Sequence, residues 1–145
     1  MVWLRPASKN DTPAVRALVR KAHINPMDLD WQRFVVAVAP MEEIIGCGQI
    51  KVHRDGSHEL ASIAVEPAWR KHGVARMIIE HLLDNHRGEI YLTCRSSLRT
   101  FYEKFGFLPV QIDEMPAYFR HISHLVRLLG KVSRRADGLL VMRRG

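Results

Sequence analysis

The sequence predicts a mixed α/β fold, one sheet with helices on both faces, and three observations carry that prediction. Short β-branched runs alternate along the chain with segments whose apolar residues recur at helical spacing. Asp55-Gly56 is a strong hairpin signal between two of the runs. The 145 residues are 47% hydrophobic and 26% charged, the profile of one globular domain with one core, so residues 1–145 are read as a single domain.

The elements follow in order. Val2–Arg5 reads as a strand. Asn10-Asp11-Thr12-Pro13 starts a helix, with cap residues and a proline in the first turn, and Val15, Leu18, Val19 and Ala22 form its apolar face. Asn25-Pro26 breaks that helix, and a second short helix is expected over Met27–Phe34, anchored by Leu29, Trp31 and Phe34. Phe34–Ala39 is a β-branched strand, Pro40–Glu43 a turn, and Ile44–His53 a strand that returns through Asp55-Gly56 into His58–Val65. Val74–His86 is helical, with Ala75, Ile78, Ile79, Leu82 and Leu83 on one face and Gly88 as its stop. Ile90–Cys94 is a strand, Ser97–Lys104 a helix closed by Gly106, and Phe107–Ile112 a strand. Pro116–Gly130 is an amphipathic helix whose apolar stripe, Tyr118, Phe119, Ile122, Leu125, Val126 and Leu129, is expected to pack on the sheet, and Leu139–Arg143 is the last strand.

Composition narrows the function classes. No apolar run approaches the ~20 residues that span a bilayer, and Met1–Pro6 lacks the pattern of a signal peptide. Cys47 and Cys94 lie far apart and form no CxxC, which argues against a thiolate metal site or a disulfide framework. A cytoplasmic setting is expected. The net charge of +7 is uneven: residues 120–145 hold seven Lys/Arg against Asp137, so nearly all of the excess lies there. A basic tail suits nucleic acid, an acidic membrane or a polyanionic cofactor. No stacking aromatics or helix-turn-helix pattern accompany this charge, so nucleic acid is not the expected partner, and packing of the Pro116–Gly130 stripe on the sheet argues against a membrane surface. His121 and His124 share a helix face without a third ligand nearby, and no metal is expected.

The most informative segment is Arg70-Lys71-His72-Gly73-Val74-Ala75, where a strand and a short cationic loop lead into a helix at a glycine. The first turn of a helix carries unpaired N–H groups and the positive end of the dipole, a ready anion site. Gly73 removes the side chain that would hold a phosphate off the backbone. Arg70, Lys71 and His72 add positive charge, and Ala75 is small enough for close helix–strand packing. Other nucleotide motifs fit worse: there is no GxxxxGK[ST], and Gly46-Cys47-Gly48 has Lys51 where a third glycine belongs. On its own the hexapeptide reads equally as an anion site or as an ordinary helix start.

Arg70-x-x-Gly73-x-Ala75 resembles the Gln/Arg-x-x-Gly-x-Gly/Ala signature of the GNAT superfamily of N-acetyltransferases. Leu60–Val65 resembles the strand before that signature, and Phe101–Phe107 resembles a second block of the family. The resemblance implies an acyl-CoA N-acyltransferase fold, with a mostly antiparallel sheet and splayed central strands, and acetyl-CoA as co-substrate. It implies that the backbone of Ile63, Ala64 and Val65 pairs with the pantetheine arm as an added strand. Arg70, Lys71, His72, Gly73, Val74, Ala75 and Arg76 then hold the pyrophosphate, the last six through their backbone. An N–H near Val65 acts as oxyanion donor. At the position seven before Tyr102, where many members have Asn, this chain has Arg95.

Two residues are the catalytic candidates. An alkyl amine with pKa near ~10.4 is mostly protonated at neutral pH, so a base must take its proton. Glu59 resembles in position the glutamate of histone-type members; the alternative is a surface glutamate at a strand edge. His58 alternates to the other face and is the weaker candidate. Tyr102 matches the family tyrosine that protonates the departing thiolate; the alternative is packing beside Phe101, Phe105 and Phe107. Acceptor contacts are expected, by family analogy, from Ile24–Phe34 and the segment around His121. There Asp28 and Asp30 would attract a cationic amine and Trp31 and Phe34 would line a pocket, against the alternative of exposed acids and core aromatics. The function expected is acetyl transfer to a primary amine of a small molecule in a ternary complex. Its competitors are a protein lysine or N-terminal acetyltransferase, and an acyl-CoA-sensing or nucleic-acid-binding module using residues 120–145. A homodimer is compatible with the sequence.

Overall fold

The structure, a computed structural model, describes residues 1–133 and 138–145. Its strands are β1 (Trp3–Pro6), β2 (Phe34–Ala39), β3 (Glu43–Val52), β4 (His58–Val65), β5 (Ile90–Arg95), β6 (Leu108–Pro109) and β7 (Leu139–Arg144). Its helices are α1 (Thr12–Lys21), α2 (Val74–Asp84), α3 (Arg99–Glu103) and α4 (Ala117–Ser133). The strands form one open sheet in the order β1-β2-β3-β4-β5-β7-β6. The β1–β2, β2–β3, β5–β7 and β6–β7 pairs are antiparallel, whereas β4 and β5 are parallel and register at Glu59↔Tyr91. The chain divides into two compact units, one of residues 1–51 and 60–87 and the other of residues 52–59 and 88–145.

In the first unit the sheet is buried on both faces, because successive side chains of a strand point to opposite sides. Phe34, Val36 and Val38 of β2 pack with Val15, Leu18 and Val19 of α1. Val35, Ala37 and Ala39 pack with Val74 and Ile78 of α2. This two-sided burial is why β2 reads as six consecutive apolar residues without alternation. A bulge between Ala37 and Val38 sets the register against β3.

Gly46 and Gly48 seat α2 on the sheet. A Cβ on Gly48 would lie 2.6 Å from Ile63 Cδ1 and 2.7 Å from Ile78 Cγ2. A Cβ on Gly46 would lie 3.0 Å from both Ile78 Cδ1 and Val74 Cγ1. The glycine pair therefore serves close helix–sheet packing. The sequence assigned that role to Ala75, which is half-buried on the first turn of α2. At the other end of this unit, the buried Asp11 carboxylate takes a two-pronged contact from Arg5, at 2.7 and 3.1 Å, and the Ser8 N–H at 2.7 Å. The Arg5 hydrogen bond is the main reason its pKa falls to about 2.

In the second unit, Tyr91 of β5, Val141 of β7, Phe119 of α4 and Met115, just before that helix, form a core cluster. β5 and β7 are in register along their full lengths, from Ile90↔Arg144 to Arg95↔Leu139. Tyr91 stacks on Phe119 with ring centroids 5.1 Å apart.

Three expectations are corrected. The helix over Met27–Phe34 does not form: Asp28 sits at φ 60, outside the right-handed helical region, and a 3-10 turn at Trp31–Arg33 is all that appears. Asp30 caps that turn by accepting the Gln32 N–H at 3.0 Å. The strand over Phe107–Ile112 shrinks to Leu108–Pro109, since Pro109 has no N–H to donate and Ile112–Glu114 is a 3-10 turn. Among the described residues, the apolar stripe of α4 packs on the sheet only through its first turns: Phe119 is fully buried, whereas Leu125, Val126 and Leu129 are exposed. Arg134, Arg135 and Asp137 of the basic C-terminal region lie outside the described residues.

Candidate functional site

In the first unit, the predicted cofactor residues form one continuous path. Ile63, Ala64 and Val65 are the last residues of β4. Glu66 N–H bonds the Ile45 carbonyl at 2.7 Å, and a 3-10 turn at Pro67–Trp69 carries the chain outward. Arg70, Lys71, His72 and Gly73 then stand exposed, with Lys71 at φ 66 and Gly73 at φ 79. Gly73 is the N-cap of α2, and no side chain caps the helix there. The first turn carries no acidic residue, so no carboxylate of its own competes for these N–H groups. Open space surrounds Gly73 where a Cβ would stand. Val74 is buried and anchors the turn, while the Arg76 side chain pairs with Glu80 at 2.8 Å. The turn therefore presents outward-facing backbone donors with Arg70, Lys71 and His72 around them, an arrangement suited to phosphate.

One feature of β4 is invisible in the sequence. Ser62 takes φ 59 in the middle of the strand, a left-handed conformation rare for a side-chain-bearing residue. Its carbonyl accepts from Cys47 Sγ at 3.5 Å, and its hydroxyl accepts from Gln49 Nε2 at 2.9 Å.

In the second unit, Glu59 is buried rather than on the surface. Its Oε1 lies 2.8 Å from His53 Nε2, and its Oε2 accepts from Thr93 Oγ1 at 3.4 Å. The His53 ring in turn stacks on Tyr118, centroids 3.5 Å apart, and meets Phe119 edge-on. A signal for this partner existed in the sequence. His53 bonds Ser57 across the Asp55-Gly56 turn, which makes Glu59 its diagonal neighbour on the same face. Asp55 extends the cluster by accepting the Tyr118 N–H at 3.0 Å.

Tyr102, on α3, is half-buried with its ring edge-on to Phe101 and Phe107. Its hydroxyl has no hydrogen-bond partner among the described residues. Burial, with the Cys94 thiol as a smaller cause, pushes its phenol up to about 12, so it holds its proton throughout the neutral range. Glu59 and Tyr102 share no hydrogen bond. Arg95 is exposed at the end of β5.

The expected acceptor residues are otherwise engaged. Asp28 pairs with Arg33 at 3.2 Å, Asp30 is the cap described above, Phe34 is core, and Trp31 packs against the α1 side of the core. His121 and His124 are exposed, and among the described residues no group of three His, Cys, Asp or Glu is placed to hold a metal ion. No described helix is long and apolar enough to cross a membrane.

Comparison with known proteins bears on the family and the fold. The family model described as the acetyltransferase (GNAT) domain matches residues 30–109. Among solved structures, N-acetylglutamate synthase from Neisseria gonorrhoeae, complexed with coenzyme A and N-acetyl-glutamate, superposes with a TM-score of 0.74 at 21% identity, over 100% of this chain and 35% of that one. The chain thus spans about a third of that relative's length. Rv2747 from Mycobacterium tuberculosis, in complex with CoA and NLQ, gives 0.69 at 24% identity, over 96% of this chain and 97% of the other. The ribosomal-protein-S18-alanine N-acetyltransferase from Escherichia coli gives 0.67 at 16% identity, over 99% and 96%. These likenesses share the fold, and the family match covers more than half of the sequence. The chain belongs to the GNAT acetyltransferase family, whose members use acetyl-CoA as co-substrate.

Proposed function

We propose that residues 1–145 act as one N-acetyltransferase domain that moves the acetyl group of acetyl-CoA to a primary amine of a small molecule, by direct attack in a ternary complex. The observation that carries this reading is the uncapped, exposed N-terminus of α2 directly after β4, with Arg70, Lys71 and His72 beside it. A pyrophosphate there meets the free N–H groups of the Lys71–Arg76 backbone. The backbone of Ile63–Val65 pairs with the pantetheine amides, and an N–H near Val65 faces the thioester oxygen as negative charge develops on it.

The chemistry divides between two side chains. The amine must lose a proton as its nitrogen attacks the thioester carbon, and Glu59 takes that proton directly or through water. His53 and Thr93 fix the carboxylate for this task. As the C–S bond breaks, Tyr102 donates a hydrogen bond to the leaving thiolate. Its phenol, pushed up to about 12, is less acidic than an ordinary thiol, at ~8.5, by three to four orders of magnitude. Tyr102 therefore stabilises the thiolate as a donor, and the proton that finally stays on sulfur comes from the amine by way of Glu59 or solvent.

The test is thiol release from acetyl-CoA across small amines, amino acids, polyamines and peptides. Turnover with free amines above that with peptides is expected. Faster turnover of peptides would move the reading to a protein acetyltransferase. Tight acetyl-CoA binding without turnover of any acceptor would leave an acyl-CoA-sensing module. Nucleic-acid affinity that falls steeply with salt would instead favour a role for residues 120–145.

A further inference from the structure

On β3, two polar residues interrupt the face that packs towards α1. Cys47 points there into the core, and Gln49 and Lys51 follow at two-residue intervals on the same side. Gln49 is fully buried and Lys51 is 6% exposed. The backbone of the Ala22–Asp30 connection lies against both, with the Met27 carbonyl 3.3 Å from Lys51 Nζ and the Asp28 carbonyl 3.2 Å from Gln49 Nε2.

Neither side chain is satisfied. An ammonium has three donors, and among the described residues that of Lys51 uses one, on a neutral carbonyl. Among the described residues no carboxylate lies within ion-pair distance of it. The two acids of the connection that lies against it are engaged elsewhere, Asp28 with Arg33 and Asp30 with the Gln32 N–H. A buried charge without a countercharge is strongly disfavoured. Gln49 places its amide nitrogen between Asp28 O and Ser62 Oγ and leaves Oε1 buried with no donor among the described residues. Turning the amide over would set Oε1 against the Asp28 carbonyl, two acceptors face to face, so the orientation is fixed. A cation lacking an anion and an acceptor lacking a donor thus stand two residues apart on one strand face. They adjoin Ser62, which immediately precedes the Ile63–Val65 backbone.

We infer that Lys51 and Gln49 form the acceptor subsite, and that the acceptor is an amine that also carries a carboxylate, an amino acid. The carboxylate takes the Met27 carbonyl's place on Lys51 Nζ, and the amine N–H donates to Gln49 Oε1. Making room shifts the Met27–Asp28 stretch, whose carbonyls make these two contacts, while Ile24 and Leu29 to either side stay packed on the core and the strands stay intact. This assignment rests on the acetyl-transfer reading above and adds the substrate class to it.

The experiment measures steady-state acetylation of the twenty L-amino acids, and then of the best substrate with each carboxylate in turn replaced by a carboxamide. The wild-type protein is compared with Lys51→Met and Lys51→Arg. One carboxamide replacement is expected to raise KM at least tenfold in the wild type. In Lys51→Met the ratio of carboxamide to carboxylate KM should collapse towards one, and Lys51→Arg should restore part of it. Thermal melts supply a readout independent of activity. An unpaired buried charge kept for a ligand predicts that Lys51→Met melts at or above the wild-type temperature, whereas a structural lysine predicts a lower one. Equal KM values for acid and amide in the wild type, or a ratio unchanged in Lys51→Met, would overturn the inference while leaving acetyl transfer standing. If no acceptor turns over, the acetyl-transfer reading fails, and calorimetric titration of the amino acids into CoA-loaded protein decides the subsite. Binding lost in Lys51→Met supports it, and no binding to the wild type overturns it.

Discussion

The glycine seat beneath α2 gives the most quantitative prediction. In Gly48→Ala, the new methyl must fit 2.6 Å from Ile63 Cδ1, 2.7 Å from Ile78 Cγ2 and 3.3 Å from Leu82 Cδ1. Ile63 Cδ1 can swing away, but Ile78 Cγ2 branches at Cβ on a helix and cannot rotate freely. The helix must lift, at a cost of about 1–3 kcal/mol for overpacking. Replacing glycine also restricts the unfolded chain, which returns about 0.4–1 kcal/mol. The net loss is about 1–2 kcal/mol. For 145 residues the unfolding entropy is about 0.3 kcal/mol per degree, so Tm should fall by about 3–7 °C. Gly46→Ala, whose nearest contacts are 3.0 Å, should cost less. Because α2 carries the proposed phosphate-binding turn at its N-terminus, Gly48→Ala should also raise KM for acetyl-CoA more than it lowers kcat. Calorimetric melts of both variants at one pH, without ligand, are the assay. A Gly48→Ala protein as stable as wild type, or less perturbed than Gly46→Ala, would refute the packing argument.

Three further outcomes are expected. The Asp11 carboxyl has its folded pKa lowered from 3.8 to about 2, so the stability it contributes is present above pH ~4 and is lost as pH falls towards 2. With Arg5 partly exposed, Asp11→Asn should cost about 1–2 kcal/mol at pH 7 and flatten the acid limb of a denaturant-midpoint profile; an unchanged limb would remove Asp11 as its source. Tyr102→Phe should lower kcat on the order of 10²-fold while leaving KM for acetyl-CoA within about twofold, measured by thiol release; an unchanged kcat would return Tyr102 to packing. Glu59→Gln should lower kcat at neutral pH by about 10²–10⁴-fold, and His53→Ala should lower it less, with partial recovery in His53→Gln, whose amide can still donate to the carboxylate. Equal rates in the Glu59→Gln and wild-type proteins would exclude Glu59 as the base.

The sequence disclosed local features and hid those made by long-range contact. Phe34–Ala39 and His58–Val65 were legible to the residue, because a two-sided core demands an unbroken apolar run and the hairpin turn fixes register. The exposed, uncapped start of α2 was legible because a helix N-terminus, a left-handed glycine and cations are adjacent along the chain. Met27–Phe34 misled, since its apolar residues have helical spacing but Asp28 adopts a left-handed turn that spacing cannot reveal. Gly46 and Gly48 looked like a failed nucleotide motif because their packing partners, Ile63 and Ile78, are distant in sequence. Ser62 gave no signal, as serine is not a residue that announces positive φ. Gln49 and Lys51 became informative once their shared buried face and missing partners were visible.

The two cysteines have a practical consequence. Cys47 is fully buried, with its thiol pushed up to about 12 by desolvation, and Cys94 is 7% exposed. A chromogenic disulfide reagent added to the native protein therefore meets little competing sulfur, and its colour tracks liberated coenzyme. When the chain unfolds, Cys47 and Cys94 become titratable as well. A single reagent can then follow turnover in one cuvette and loss of the native state in the next, without a label.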